Sequence, residues 1–145
     1  MIVRRLAEMV GTERDVAAPT WNSRRFVLAG DRVGFSFHDT IVRAGTETFM
    51  WYRHHTEAVY CIRGRGTLED VATGEVHEIG EGTMYLLDRH DKHILRAETE
   101  MQMVCVFNPP CTGQEVHDED GVYPLLTIDG AGPAPTRTST PPITA

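Results

Sequence analysis

Residues 58–69 read Ala58-Val59-Tyr60-Cys61-Ile62-Arg63-Gly64-Arg65-Gly66-Thr67-Leu68-Glu69. Two short runs rich in β-branched and aromatic residues flank a turn of arginine and glycine, which is the signature of a hairpin. Glycine supplies the positive φ that such a turn needs without a steric penalty. The same pattern extends in both directions. Upstream lie Arg25 to Leu28, Val33 to Phe37 and Thr48 to Tyr52, with turns at Ala29-Gly30-Asp31 and Ala44-Gly45. Downstream lie Val76 to Ile79, Thr83 to Leu87, His93 to Arg96 and Met101 to Phe107, broken by Thr73-Gly74 and Gly80-Glu81-Gly82. Hardly any stretch carries a helical period. Strands this short and this evenly spaced predict an all-β jelly-roll barrel with few short helices.

The ends frame that region. Ile2 and Val3 read as a strand-like start, followed by a polar segment to about residue 20. A chain of 145 residues predicts one domain, over 1–127. Residues 128–145 are rich in Pro, Thr and Ala and bury too little apolar surface to offset ordering, so a disordered tail is expected there. With 41% hydrophobic and 24% charged residues a sizeable core is expected. The formal charge of −7 argues against a nucleic-acid partner, whose phosphates select lysine and arginine. No apolar run approaches the roughly 18 residues that cross a bilayer, and the N-terminus lacks the pattern of a signal peptide. Three cysteines, Cys61, Cys105 and Cys111, without CxxC spacing suit a reducing compartment. A cytoplasmic location is expected.

The histidines and carboxylates are not spread evenly. His54, His55 and Glu57 form one group, and His90 and His93 another. The first cupin motif places two histidines one residue apart, then a glutamate, then a glycine. Glu57 and Gly64 keep its closing spacing, but Trp51 and Arg53, or Met50 and Tyr52, stand where the histidines belong. The second motif is framed by Gly82 and His93, with Asp88 and His90 in its proline and glycine slots. The chain therefore resembles a cupin whose four-ligand site is cut down to Glu57 and His93, which alone hold a divalent metal weakly. Alternation along Thr83-Met84-Tyr85-Leu86-Leu87 sets Thr83, Tyr85 and Leu87 on one face, and makes Tyr85 a candidate phenolate ligand. The competing reading is ordinary: solvated histidines in the loop at 90–93 and a core tyrosine.

Three ordered stretches carry a more specific resemblance: His54 to Ile62, Met84 to His93, and Cys105 to Pro109 continuing through Thr112-Gly113, Glu115-Val116-His117 and Glu119-Asp120-Gly121. With Met1 to Arg4, Trp21 to Arg25 and Gly45 to Thr48, they make residues 1 to about 124 similar to the ectoine synthase family. That resemblance implies a homodimeric cupin that cyclises N-γ-acetyl-L-2,4-diaminobutyrate with loss of water, a hydro-lyase reaction. It implies iron(II), or another divalent metal, on the residues matching Glu57, Tyr85 and His93. It also implies Trp21, Arg25, Thr40, Tyr52, Cys105, Phe107, Glu115 and His117 around the substrate. Phe49 is a departure, because many relatives are expected to carry histidine there.

The chemistry sorts these residues further. The substrate's α-amine must be neutral to attack its own acetamide, so Glu115 or His117 is expected as the base and Tyr52 as a proton donor to the departing hydroxyl. Arg25 is the expected clamp for the substrate carboxylate, since a guanidinium fork fits it bidentately. Cys105 is expected to line the site rather than to act as a nucleophile. Two other readings stay open: another metal-dependent cupin enzyme (a dioxygenase or isomerase), and a non-catalytic cupin that binds a small ligand.

Overall fold

The computed structural model describes residues 1–128. One short helix, α1 (Leu6–Met9), precedes ten strands. They are β1 (Asp15–Ala17), β2 (Trp21–Val27), β3 (Ser36–Val42), β4 (Glu47–Trp51), β5 (Thr56–Arg63), β6 (Arg65–Asp70), β7 (Val76–Gly80), β8 (Met84–Leu87), β9 (Lys92–Ala97) and β10 (Met101–Asn108). They form two antiparallel sheets, ordered β1-β2-β3-β10-β5-β8 and β4-β9-β6-β7. One hydrophobic core joins them, with Val59, Met103 and Phe107 from the first sheet and Leu68, Ile79 and Leu95 from the second. The all-β jelly-roll expectation matches this architecture. The expected tail lies, apart from Ile128, outside the described residues.

The hairpin at 58–69 shows why the turn needs glycine. Gly64 has φ +87, and a Cβ there would stand 2.1 Å from the carbonyl oxygen of Glu100. Gly66 keeps ordinary φ, yet a Cβ would lie 2.1 Å from the Arg96 carbonyl oxygen on β9. Without side chains at these positions the β5–β6 turn can lie against the β9–β10 turn, and β6 can pack closely along β9.

The alternation of each strand then builds an inner wall. Reading across the large sheet, one row runs Tyr85, Val59, Cys105, His38, Arg25 through successive antiparallel pairs. The row on one side is Leu87, Glu57, Phe107, Ser36, and on the other Cys61, Met103, Thr40, Ser23. Neighbours in a row share a face, so polar side chains from distant stretches meet inside the barrel.

Ile2 and Val3 differ from the strand-like expectation. They belong to no strand and are 62% and 65% exposed. Apolar sequence alone does not make a strand, because backbone donors and acceptors also need a partner ladder. After β10 the chain folds back as an irregular strap over one end of the barrel. The Ala29 amide donates to the Cys111 carbonyl (2.8 Å) and the Trp51 amide to the Gly121 carbonyl (2.8 Å), tying the strap to both sheets. The Asp118 carboxylate caps the turn between them, accepting the amides of Asp120 (2.9 Å) and Val122 (3.0 Å).

Candidate active site

With His117 and Tyr123 the strap helps line an open-mouthed cavity of about 500 Å³, the mouth included. Trp21, Thr40, Tyr52, Glu57, Tyr85, Cys105, Phe107 and His117 all line it. Residues singled out in the sequence thus face one space, although they come from five strands, the turn after β4 and the strap.

At one end stand the metal-donor candidates. Glu57 and Tyr85 lie diagonally across the β5–β8 pair, within reach of each other on the inner face. Burial pushes the Glu57 carboxyl up to about 8, against the opposing hydrogen bond from the Cys105 thiol. Burial, and next the neighbouring Glu57, push the Tyr85 phenol well above its ordinary value. A buried acid and phenol of this kind ionise only if a cation joins them.

His93 enters from the opposite sheet, on β9. It lines an adjoining recess between the edges of the two sheets, and Tyr85 lines both spaces. The His93 Nδ1–H donates to the Asp91 carbonyl oxygen at 2.9 Å, so Nε2 carries the lone pair; it is buried with no partner. An imidazole anchored through one nitrogen to a backbone carbonyl with the other free is the arrangement of a metal ligand. Among the described residues no group of three His, Cys, Asp or Glu side chains is placed to hold a metal. A three-donor set from these residues would need the Tyr85 phenol beside Glu57 and His93. The chemistry of these three groups fits a divalent ion of the iron class.

The loop feeding β9 has an unusual feature. His90, in the motif's glycine slot, has φ 55, the left-handed region that glycine adopts freely. The strain is offset locally, because the His90 Nδ1–H donates to the Tyr52 carbonyl (2.8 Å) and the Trp51 indole N–H to the His90 carbonyl (2.9 Å). His90 thus fixes the backbone of Tyr52 from an exposed loop position and does not line the cavity.

Above the donors, the Tyr52 hydroxyl and His117 Nε2 are 2.9 Å apart. Burial, then the nearby His93 and Arg25, lower the His117 pKa to about 4, so its imidazole is neutral near pH 7. Burial first, then Glu57, push the Tyr52 phenol well above its ordinary value. The pair is a neutral acid beside a neutral base. Tyr123 stacks on His117 (ring centroids 4.4 Å, 29°), and Trp21 meets His117 edge-on at 5.5 Å. Burial likewise drives the Cys105 thiol well up, which suits a lining group and not a nucleophile.

Arg25 and Glu115 depart from the expectation. Both side chains are 0% exposed and neither lines the cavity. Arg25 Nη2 donates to the Glu115 carbonyl oxygen (2.6 Å), and Nη1 lies 3.6 Å from a Glu115 carboxylate oxygen. That carboxylate already accepts the Thr112 amide (2.7 Å), the Thr112 hydroxyl (2.9 Å) and the Gly113 amide (2.9 Å). Glu115 folds the strap, and Arg25 ties it to β2. A carboxylate saturated by donors is a poor base; the Arg25 guanidinium lies beyond the cavity lining, with Nε and Nη1 buried and without a hydrogen-bond partner. Phe49 is also outside the cavity, 41% exposed and packed against Gly121.

Sequence reasoning missed Ser23, His38 and Tyr123, which line the cavity. The first two were within reach of the period-two rule: Ser23 sits two residues from Trp21, and His38 two from Thr40. Nothing local marks Tyr123, which the strap delivers.

Comparison with known proteins identifies the family. The profile of a family described as Ectoine synthase matches residues 1–127. An L-ectoine synthase of Oceanobacillus iheyensis is 60% identical over 126 residues, covering 87% of this chain and 98% of that protein. The crystal structure of ectoine synthase from P. lautus superposes with a TM-score of 0.79 at 56% identity, covering 91% of this chain and 96% of that one. KdgF from Halomonas sp. shares the fold alone, with a TM-score of 0.55 at 17% identity over 65% of this chain and 84% of that one. With a family profile spanning nearly all the described residues, and relatives matched over almost their full length, the chain belongs to the ectoine synthase family.

Proposed function

We propose that this protein closes N-γ-acetyl-L-2,4-diaminobutyrate into ectoine, a cyclic amidine, with release of water. Family membership supports the reaction, and the observation that carries the mechanism is the neutral Tyr52–His117 pair, 2.9 Å apart, facing the cavity that Glu57 and Tyr85 also line. In the balanced reaction the α-ammonium nitrogen gives up two protons and forms a bond to the acetamide carbon. The carbonyl oxygen gains both protons and leaves as water. Nothing is oxidised or reduced, so the protein has to fold the substrate and carry protons from nitrogen to oxygen.

The aromatic walls do the folding. Trp21, Phe107 and Tyr123 pack around the space and exclude water, holding amine and carbonyl carbon together. Intramolecular reactions so oriented reach effective molarities of about 10⁵ M or more. The lone pair of neutral His117 accepts a proton from the amine side. Tyr52, in hydrogen-bond contact with it, passes one to the departing oxygen and recovers it from the imidazole. Glu57, Tyr85 and His93 would hold iron(II) or a similar divalent ion, which when bound supplies Lewis acidity toward the acetamide oxygen.

A homodimer and a cytoplasmic location belong to the same reading. Edge strand β8, with Met84 59% and Leu86 50% exposed, supports a partner surface. No helix among the described residues is long and apolar enough to cross a membrane. The test is to incubate the purified, iron-loaded protein with the acetylated diaminobutyrate and follow the amidine methyl group by proton NMR. Accumulation of the cyclic product is expected; its absence would overturn the assignment.

A further inference from the structure

With Arg25 behind the wall, the cavity surface at that end belongs to other side chains. His38 faces the cavity from β3, directly across from Arg25 on β2 and from Cys105 on β10. Its residue exposure is 1%, and its Nε2 is buried without a partner. The other ring nitrogen, Nδ1, is 3.3 Å from the Ser23 hydroxyl oxygen. Phe107 packs on the ring at 5.1 Å, fixing its plane.

The direction of the Ser23–His38 hydrogen bond goes with the tautomer of the ring. Ser23 is 2% exposed, and its hydroxyl can give its hydrogen to His38 Nδ1 or accept one from it. A buried hydroxyl that donates to Nδ1 leaves the hydrogen of the neutral imidazole on Nε2. His38 then presents an N–H donor to the cavity, with the Arg25 cation beside it. Such a donor, next to a buried positive charge, is matched by an anionic oxygen.

Position along the sheet identifies that oxygen. In the row Tyr85, Val59, Cys105, His38, Arg25, three inter-strand spacings separate His38 from Tyr85, roughly 14 Å of sheet before the side chains reach inward. The donor set for the acetamide end is at one side of the cavity and His38 at the other. Because Tyr85 and His38 both reach inward from that separation, a substrate that places its acetamide by Glu57 and Tyr85 can direct its α-carboxylate toward the His38 end.

We propose that His38, oriented by Ser23, is the hydrogen-bond donor that anchors the substrate's α-carboxylate, with Arg25 contributing charge from behind the wall. The inference rests on the cyclase reading above. It makes His38 a specificity residue, which separates the natural substrate from the same molecule without its carboxylate, N-acetyl-1,3-diaminopropane.

The experiment compares steady-state kinetics on both compounds for the iron-loaded wild type, His38→Phe, His38→Gln and Ser23→Ala. A hydrogen bond to a charged group sets the scale, so His38→Phe should lower the ratio of kcat/KM for the acid over the amine roughly 10- to 100-fold. The loss should appear chiefly as a rise in KM for the acid. His38→Gln, which keeps an N–H donor, should recover part of it. Ser23→Ala, a small truncation that leaves the imidazole in place but frees its tautomer, should lower the ratio several-fold. A ratio unchanged in His38→Phe overturns the proposal, whether both activities fall together or neither does. So does a loss confined to kcat. Should His38→Phe fail to fold, an unchanged ratio in Ser23→Ala together with His38→Gln overturns it equally. A wild type that cyclises neither compound fails the functional reading instead, and this inference with it.

Discussion

Replacing Arg25 by Met separates two roles that the sequence alone assigns to one residue. The change keeps an unbranched apolar stem, shorter than the original side chain, and removes the charge. The Arg25→Met variant would leave the Glu115 carbonyl without its 2.6 Å donor and the Glu115 carboxylate without the cation 3.6 Å away, both at 0% side-chain exposure. Breaking a buried ion pair by removing one partner costs about 3–5 kcal/mol. The Glu115 carboxylate keeps three other donors from Thr112 and Gly113, which argues for the lower end, about 3 kcal/mol. For a domain of this size each kcal/mol moves Tm by roughly 2–4 °C, so a fall of about 10 °C is expected. Thermal unfolding followed by circular dichroism, on metal-loaded protein, measures it. An Arg25→Met protein that melts within about 2 °C of wild type but has a KM raised roughly tenfold would refute the reasoning. It would return Arg25 to the cavity surface as a direct clamp.

Tyr52→Phe should lower kcat by roughly 100-fold, the lower range for a positioned acid, while metal content measured by elemental analysis stays at the wild-type level. The second expectation concerns acid. The pKa of His117 falls from 6.5 unfolded to about 4 folded, so its contribution is full above pH 6.5 and is lost as pH falls toward 4. Linkage sets that loss at roughly 3 kcal/mol. Urea unfolding of metal-free protein at about pH 7 and about pH 4.5 should show a smaller pH-dependent loss in His117→Gln than in wild type; equal losses would contradict it.

What the sequence made legible follows from periodicity. Strands announce themselves through alternation and glycine turns, so the hairpin around Gly64 and the inward direction of Tyr85 were both readable from local pattern. The cavity residues Trp21, Thr40 and Phe107 needed the family resemblance, because an isolated aromatic or threonine looks the same in a core and in a site. Glu115 shows the limit of residue-type reasoning. A glutamate in a Gly- and Pro-flanked loop has the profile of a base, but its donors at 112 and 113 are set by a turn that only coordinates reveal. Arg25 shows a related limit: β2 sets it beside His38, and its bond to the Glu115 carbonyl is made by the strap, which no local pattern announces. Ile2 and Val3 mark the converse, since strand-like residues form no strand without an adjoining ladder. His90 is the most instructive case. Its place in the motif's glycine slot was visible, but its cost is tolerated through the bond to the Tyr52 carbonyl.

The account depends on Glu57, Tyr85 and His93 forming one metal centre that serves ring closure. Iron bound per chain, measured together with cyclic product formed, in Glu57→Ala, Tyr85→Phe and His93→Ala tests it most directly. All three proteins are expected to remain folded and to lose both iron and turnover. Full iron content with undiminished product in the three would contradict it.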